Sequence, residues 1–175
     1  MYTYSMKTSV LVTAVAGSGK STTCKALQEL DYIAYDIESI PGLYELVDEM
    51  TGRVIPGTME QISEGVDWRC NKSKLQDRIR TETADLVFYC GGMSNTEEVW
   101  DTFDKVIVLT VSDDTTVKRL STRTAGEFGS TSENREWVLS WKHSFEQRLF
   151  DMGGIPVSAE GNPEEVAKQV VSASL

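Results

Sequence analysis

The chain has 175 residues, with Asp plus Glu at 27 against Lys plus Arg at 17 for a formal net charge of -10, and 40% of its residues are hydrophobic. One domain of this length can bury about 70% of its unfolded surface, so the fold requires no disulfide or structural metal. The acidic balance disfavours a nucleic-acid partner, which needs clustered Lys and Arg, and with one His a Ser-His-Asp hydrolase would have to rest on His143 alone.

Met1 to Val10 lacks the charged and apolar regions of a signal peptide, and no apolar run approaches the roughly 18 residues needed to span a bilayer. Cys24, Cys70 and Cys90 are widely spaced and form no C-x-x-C pair, so they read as reduced thiols in a cytoplasmic protein with no membrane partner. Thr8 to Thr13 is a short β-branched strand; Ala14 to Ser21 is a glycine-bearing loop, and Thr22 to Leu30 reads as helix. Tyr32 to Tyr35 is a second strand stopped by Asp36, and Leu43 to Met50 has helical spacing, followed by a turn across Thr51 to Gly57. A helix over Lys72 to Thr83 leads into a third strand, Asp85 to Cys90, that ends on Gly91-Gly92.

Glu97 to Phe103 reads as helix, and Lys105 to Val111 is a fourth strand, apolar on both faces as a central parallel strand is. Ser112 is a good N-cap for a helix to about Arg123, and a polar segment, Thr124 to Ser132, precedes a long helix from about Glu133 to Phe150. Ile155 to Ala159 is the fifth strand, and Asn162-Pro163 opens a terminal helix. Strands alternating with helices predict an α/β fold with a parallel sheet and right-handed crossovers.

Ala14 to Ser21 reads A-V-A-G-S-G-K-S, a P-loop pattern with Ala at the first glycine position. Gly17 and Gly19 let successive backbone N–H groups turn inward around phosphate oxygens at a helix N-terminus, with Ser18 and Thr22 in the same cradle. Lys20 would reach the β and γ phosphates, and the Ser21 hydroxyl would ligate Mg²⁺. Ala14 is acceptable there if its φ is negative.

With G-S-G-K-S, Asp36 after the second strand, Gly91-Gly92 after the third, an Arg-bearing helix before a Gly-containing segment, and I-P-V-S-A near the end, the sequence resembles the P-loop small-molecule kinases. That group includes shikimate kinase, gluconate kinase, dephospho-coenzyme A kinase and the adenylate-kinase-like enzymes. The resemblance implies a P-loop NTPase fold, a five-stranded parallel sheet of order 2-3-1-4-5 with helices on both faces, as one domain over residues 1–175. It implies an ATP- and Mg²⁺-dependent phosphotransferase acting on a small molecule such as a nucleoside, nucleotide, shikimate or sugar acid.

Under the resemblance, Asp36 orients the acceptor hydroxyl or holds a Mg²⁺ water, with Glu38 as second candidate; the bland alternative for Asp36 is a helix cap. Residues 37–80 would bind the acceptor, with Gly91, Gly92 and Arg53 as contacts and Trp68, Arg69 and Arg78 as further candidates. Residues 119–148 would form a lid, in which Arg123 neutralises the transferring phosphate and Arg119 stacks on the nucleotide. Arg135, Lys142 and Arg148 are further cations of this region, and Ala159, Glu160 and Gly161 would lie near adenine. Trp137 and Trp141 read as packing and His143 as solvent-facing. Asn71-Lys72-Ser73-Lys74 resembles a guanine-reading motif but lacks its Asp. Leu86 to Tyr89 leads into Cys90, not a Walker B carboxylate, which leaves room for a second reading, a nucleotide-binding switch or slow ATPase acting on a partner protein.

Overall fold

In the computed structural model, which describes residues 7–175, strand β1 (Thr8–Thr13) runs through the middle of a parallel sheet. Most of Met1 to Val10, read above as lacking a leader, lies outside the described residues. The chain continues through α1 (Lys20–Glu29), β2 (Ile33–Asp36), β3 (Tyr44–Asp48), β4 (Val54–Ile55), β5 (Val66–Cys70) and α2 (Lys72–Thr81). It then forms β6 (Leu86–Cys90), α3 (Thr96–Val99), β7 (Lys105–Thr110), α4 (Asp113–Ser121), α5 (Ser132–Asp151), β8 (Ile155–Ser158) and α6 (Pro163–Ser174). The parallel sheet has the order β2-β6-β1-β7-β8, which is the expected 2-3-1-4-5 order when only its own strands are counted.

The period-two alternation of the strands feeds two cores. Val10, Val12, Phe88 and Ile107 face one side, where they pack with Cys24 and Leu27 of α1 and Val166 and Val170 of α6. Leu11, Tyr89 and Val108 face the other, against Leu75 of α2, Leu120 of α4 and Leu149 of α5. With apolar residues on both faces, the central strands can be covered only by a helix layer on each side.

The helix starts follow their sequence signals. Ser112 accepts from the Thr115 N–H at 3.1 Å, and Asn162 accepts from the Glu164 N–H at 2.9 Å with Pro163 in the first turn. Asn71 accepts from the Lys74 N–H at 3.1 Å, so the guanine-motif look-alike is a helix cap.

Leu43 to Met50 is not a helix. Tyr44–Asp48 pairs antiparallel with both β4 and β5, forming a second, three-stranded sheet of order β4-β3-β5. Tyr44 and Leu46 are buried on the alternation of a strand, a pattern that a short window cannot distinguish from helical spacing. The predicted turn contains the two residues of β4, and Asp48 accepts from the Thr51 N–H and hydroxyl at 2.8 Å each, closing the hairpin over Gly52 at φ 66°. Strand β5, which the sequence reading passed over, is held by this pairing and by the Tyr44 ring stacked on Trp68 at 5.0 Å.

Asn95 fastens the small sheet to the large one. Its amide accepts from the Cys70 N–H at 2.9 Å and donates to the Cys70 carbonyl at 3.0 Å, with the residue 5% exposed. Asn95→Ala leaves both Cys70 groups buried without partners, so the expected loss is about 2–4 kcal/mol. Urea denaturation checks it; a midpoint equal to the parent's would show that Asn95 does not tie the two sheets.

Candidate active site

The loop between β1 and α1 is shaped by Gly17 at φ 81° and Gly19 at φ 92°, values that a side chain would strain. Ala14 keeps a negative φ, since Asp31 is the one non-glycine with positive φ among the described residues, so the first-glycine departure needs no special backbone. Gly19 supplies no side-chain cap, which leaves the first N–H groups of α1 open to an anion. The Ser18 hydroxyl is buried in the loop with no hydrogen-bond partner.

Lys20 lies across the same loop, its Nζ donating to the carbonyls of Ala14 at 3.0 Å and Val15 at 3.1 Å. Burial pushes its pKa below the usual lysine value, while the charge of Glu38 opposes that shift and Arg123 adds to it. An anionic group between Lys20 and Arg123 would offset the cost of holding both cations there.

Two cavities meet at this point. The first, about 360 Å³, is lined by the loop, by Ser21 and Thr22, and by Arg119, Arg123, Ala159 and Gly161. The second, about 450 Å³, lies between β5 and α5, with Trp68 on one wall and Trp137, Trp141 and Phe145 on the other. Lys20, Glu38 and Arg123 line both.

Arg119 donates to the Ala159 carbonyl at 2.7 Å, which joins α4 to the segment after β8 at the edge of the first cavity. Arg123 donates to the Phe128 carbonyl and so is already folded over the junction. Asp36 ends β2 opposite Cys90 and makes no side-chain cap bond; it lines neither cavity, and it reaches the junction through its charge on Lys20. Glu38, two residues on, is the carboxylate that lies between the cavities, and it accepts from the Gly92 N–H.

That contact explains the glycine pair. A Cβ on Gly91 would stand 2.6 Å from Ile37 Cγ1, and one on Gly92 would stand 3.3 Å from the Lys20 Cε and from the Ala14 carbonyl oxygen. Gly91 needs the close approach that glycine allows, and at Gly92 a side chain would be tight against the lysine and the loop. Arg53 is exposed beside β4 and lines neither cavity.

The remaining candidates divide by their partners. Arg69 is shared between Asp67 at 3.6 Å and Glu98 at 2.5 Å, and Arg78 lies 4.4 Å over the Tyr35 ring, away from both cavities. Arg135 donates to the Gly129 and Ser130 carbonyls. Lys142 is buried against Glu146 at 3.1 Å and Asp113 at 3.5 Å, while the exposed His143 ring lies 3.0 Å from Asp113. Arg148 lines the second cavity and pairs with Glu97 at 3.3 Å. Trp137 and Trp141, read as packing, also face this cavity, stacked edge-on in a row with Phe145. The spacing of that aromatic row at every fourth residue was visible in the sequence; the empty space beside it was not.

No described residues group three or more His, Cys, Asp or Glu side chains into a metal cage, and no described helix is long and apolar enough to cross a membrane.

A family model described as an AAA domain matches residues 10–137. Among solved structures, the chain is similar to TT1252 from Thermus thermophilus, at 16% identity and TM-score 0.61, over 97% of this chain and 98% of that one. It is similar to a shikimate kinase from Acinetobacter baumannii in complex with shikimate, at 17% identity and TM-score 0.60, over 97% and 94% of the two chains. A deoxyadenosine kinase from M. mycoides with bound dATP gives 14% identity and TM-score 0.55, over 94% and 98%. At these identities the likeness is one of fold. A search of curated proteins returns no match.

Proposed function

Because the chain belongs to the AAA domain family and has the fold of the P-loop small-molecule kinases, we propose that it is an ATP-dependent phosphotransferase acting on a small molecule. The observation that carries this reading is the meeting of two cavities at Lys20, Glu38 and Arg123. A simple nucleotide hydrolase needs one cavity and a water; a second one of about 450 Å³ opening onto the same three side chains suits a second substrate.

The P-loop N–H groups, Ser18, Thr22 and Lys20 hold the nucleotide phosphates, and Arg119 holds the nucleotide's outer end. The acceptor enters the second cavity, whose walls come mainly from residues 37–80 and 119–148, the acceptor-binding and lid segments of a single domain, with the phosphate loop and Gly92 and Ser94 at its floor. Glu38 takes the proton of the acceptor hydroxyl as its oxygen bonds to the γ-phosphorus; the bond from that phosphorus to the bridging oxygen breaks, and ADP leaves with the electron pair. Lys20 and Arg123, both at the junction of the two cavities, compensate the charge of the transferring group without having to reorganise. Where solvent is excluded by the aromatic wall, these cations act at low dielectric and count for more.

The exposed Ser21 hydroxyl, beside a loop whose α1 N–H groups have no cap, fits a Mg²⁺ held mainly by the nucleotide and water, with Asp36 as an outer partner. When bound, the ion would neutralise phosphate charge. The absence of a Walker B carboxylate at Cys90 agrees with this arrangement, since Asp36 is its register partner on β2.

ADP release followed over nucleosides, sugars, sugar acids, amines and shikimate tests the proposal. Expected is a rise of at least about tenfold over the acceptor-free rate with one class. Hydrolysis at one unchanged rate with every compound would defeat it.

A further inference from the structure

The two substrates of such a transfer need different charge environments. At the junction, Lys20 and Arg123 belong to the phosphoryl group. Farther along the second cavity the ionisable lining residues are Glu49, Asp67 and Arg148. Arg148 is paired with Glu97 at 3.3 Å, so it offers little net charge. Asp67 has only a shared cation, because Arg69 at 3.6 Å is held more closely by Glu98. Glu49, exposed at the rim, has no ion pair among the described residues; the Asp67 charge raises its pKa, followed by desolvation and a side-chain hydrogen bond to Asp67, with Glu64 and Asp48 adding to the same field.

The uncharged lining is aromatic. Trp68, Trp137, Trp141, Phe128 and Phe145 surround the space between β5 and α5, and the indole N–H groups of Trp68 and Trp141 are buried without acceptors. Ring faces attract cations, and the attraction grows as water is removed. An anionic acceptor would meet Glu49 and Asp67 with no unpaired cation of the cavity besides Lys20 and Arg123, which face the phosphoryl group; a neutral one would leave the charge of the two carboxyls unanswered.

We propose that the second cavity takes a hydroxyl-bearing organic cation, an amino sugar or amino alcohol, its ammonium held by Glu49, Asp67 and the tryptophan faces and its hydroxyl turned toward Glu38. The inference rests on the phosphotransferase reading for the role of that hydroxyl, but not for the binding itself.

Three six-carbon compounds separate the possibilities: the cyclic pair glucosamine and glucose, positive and neutral at neutral pH, and glucuronate, a pyranose of the same ring that carries negative charge. Titrated into the full chain with a non-hydrolysable ATP analogue present, and followed by tryptophan fluorescence, glucosamine is expected to bind at least tenfold more tightly than either other sugar. That preference should shrink in high salt and fall at least tenfold in the Glu49→Gln, Asp67→Asn double variant. Choline against its uncharged carbon isostere, 3,3-dimethylbutan-1-ol, repeats the comparison without a sugar ring and with the protein unaltered.

Equal binding across each series, no binding by any member, or tighter binding of glucuronate overturns the assignment. Transfer of phosphate to an anionic or neutral acceptor alone would overturn it while sparing the kinase reading. Saturable glucosamine binding with phosphate transfer to no cationic, neutral or anionic acceptor would do the reverse.

Discussion

Lys20→Ala is expected to lower ATP turnover on the order of 10³-fold, the scale on which a pre-placed charge at a reacting group contributes. The argument is local. Lys20 is the first residue of α1, and its ammonium spans the loop to the carbonyls of Ala14 and Val15 at 3.0 and 3.1 Å. Burial makes the charged form costly there, with Glu38 as its principal compensation. A cation kept in so unfavourable a place suits an anion that arrives later. Lys20→Arg should not restore activity, because a planar guanidinium cannot replace a point charge in a loop that closes around the side chain. Steady-state turnover and equilibrium binding of a fluorescent ATP analogue measure both effects. Parent-like turnover in Lys20→Ala would remove the loop from the mechanism.

Glu38→Gln is expected to lower kcat by about 10²- to 10⁴-fold, the range for loss of a positioned general base. Glutamine keeps an oxygen for the Gly92 N–H, so the turn after β2 retains its tie to the segment after β6 while losing the ability to take a proton. Asp36→Asn, which alters a carboxylate lining neither cavity, should cost less in kcat and show instead as a weaker dependence on Mg²⁺. The comparison is read in acceptor-dependent ADP release once an acceptor is in hand. The opposite ranking would assign the base to the end of the strand and leave Glu38 as a structural link.

Much of the phosphate end could be read before any coordinates. G-S-G-K-S is a local motif: the glycines, the lysine and the helix start are neighbours in the chain, so their geometry follows from short-range backbone preferences. The same holds for the caps at Ser112 and Asn162, where donor and acceptor are at most three residues apart. The choice between Asp36 and Glu38 could not be read in that way. Both lie at the end of the same strand, and only the approach of Gly92, from a segment more than fifty residues later, marks which carboxylate stands between the cavities.

The acceptor end was least visible. The stretch over β3 and β5 looked partly helical and partly featureless because its strands are short, polar on one side and stabilised by each other. β-Pairing depends on a partner that a sequence window does not contain. Trp68 becomes a wall only when that pairing sets it opposite the aromatic row of α5, and Arg53, chosen for its charge alone, is carried by the same hairpin to an exposed position outside both cavities.

The sequence by itself thus determined the parallel sheet and the phosphate loop, because alternating apolar strands, helix caps and a contiguous glycine motif are written in local spacing, while the strand order came from the family resemblance that the motif carries. Only the tertiary structure decided that a -10 chain gathers Lys20, Arg123 and Glu38 where two cavities meet, and that the space beyond them is aromatic and acidic. The physical reason is that a cavity is formed by what distant segments leave unfilled, and its charge is what their ion pairs leave uncompensated.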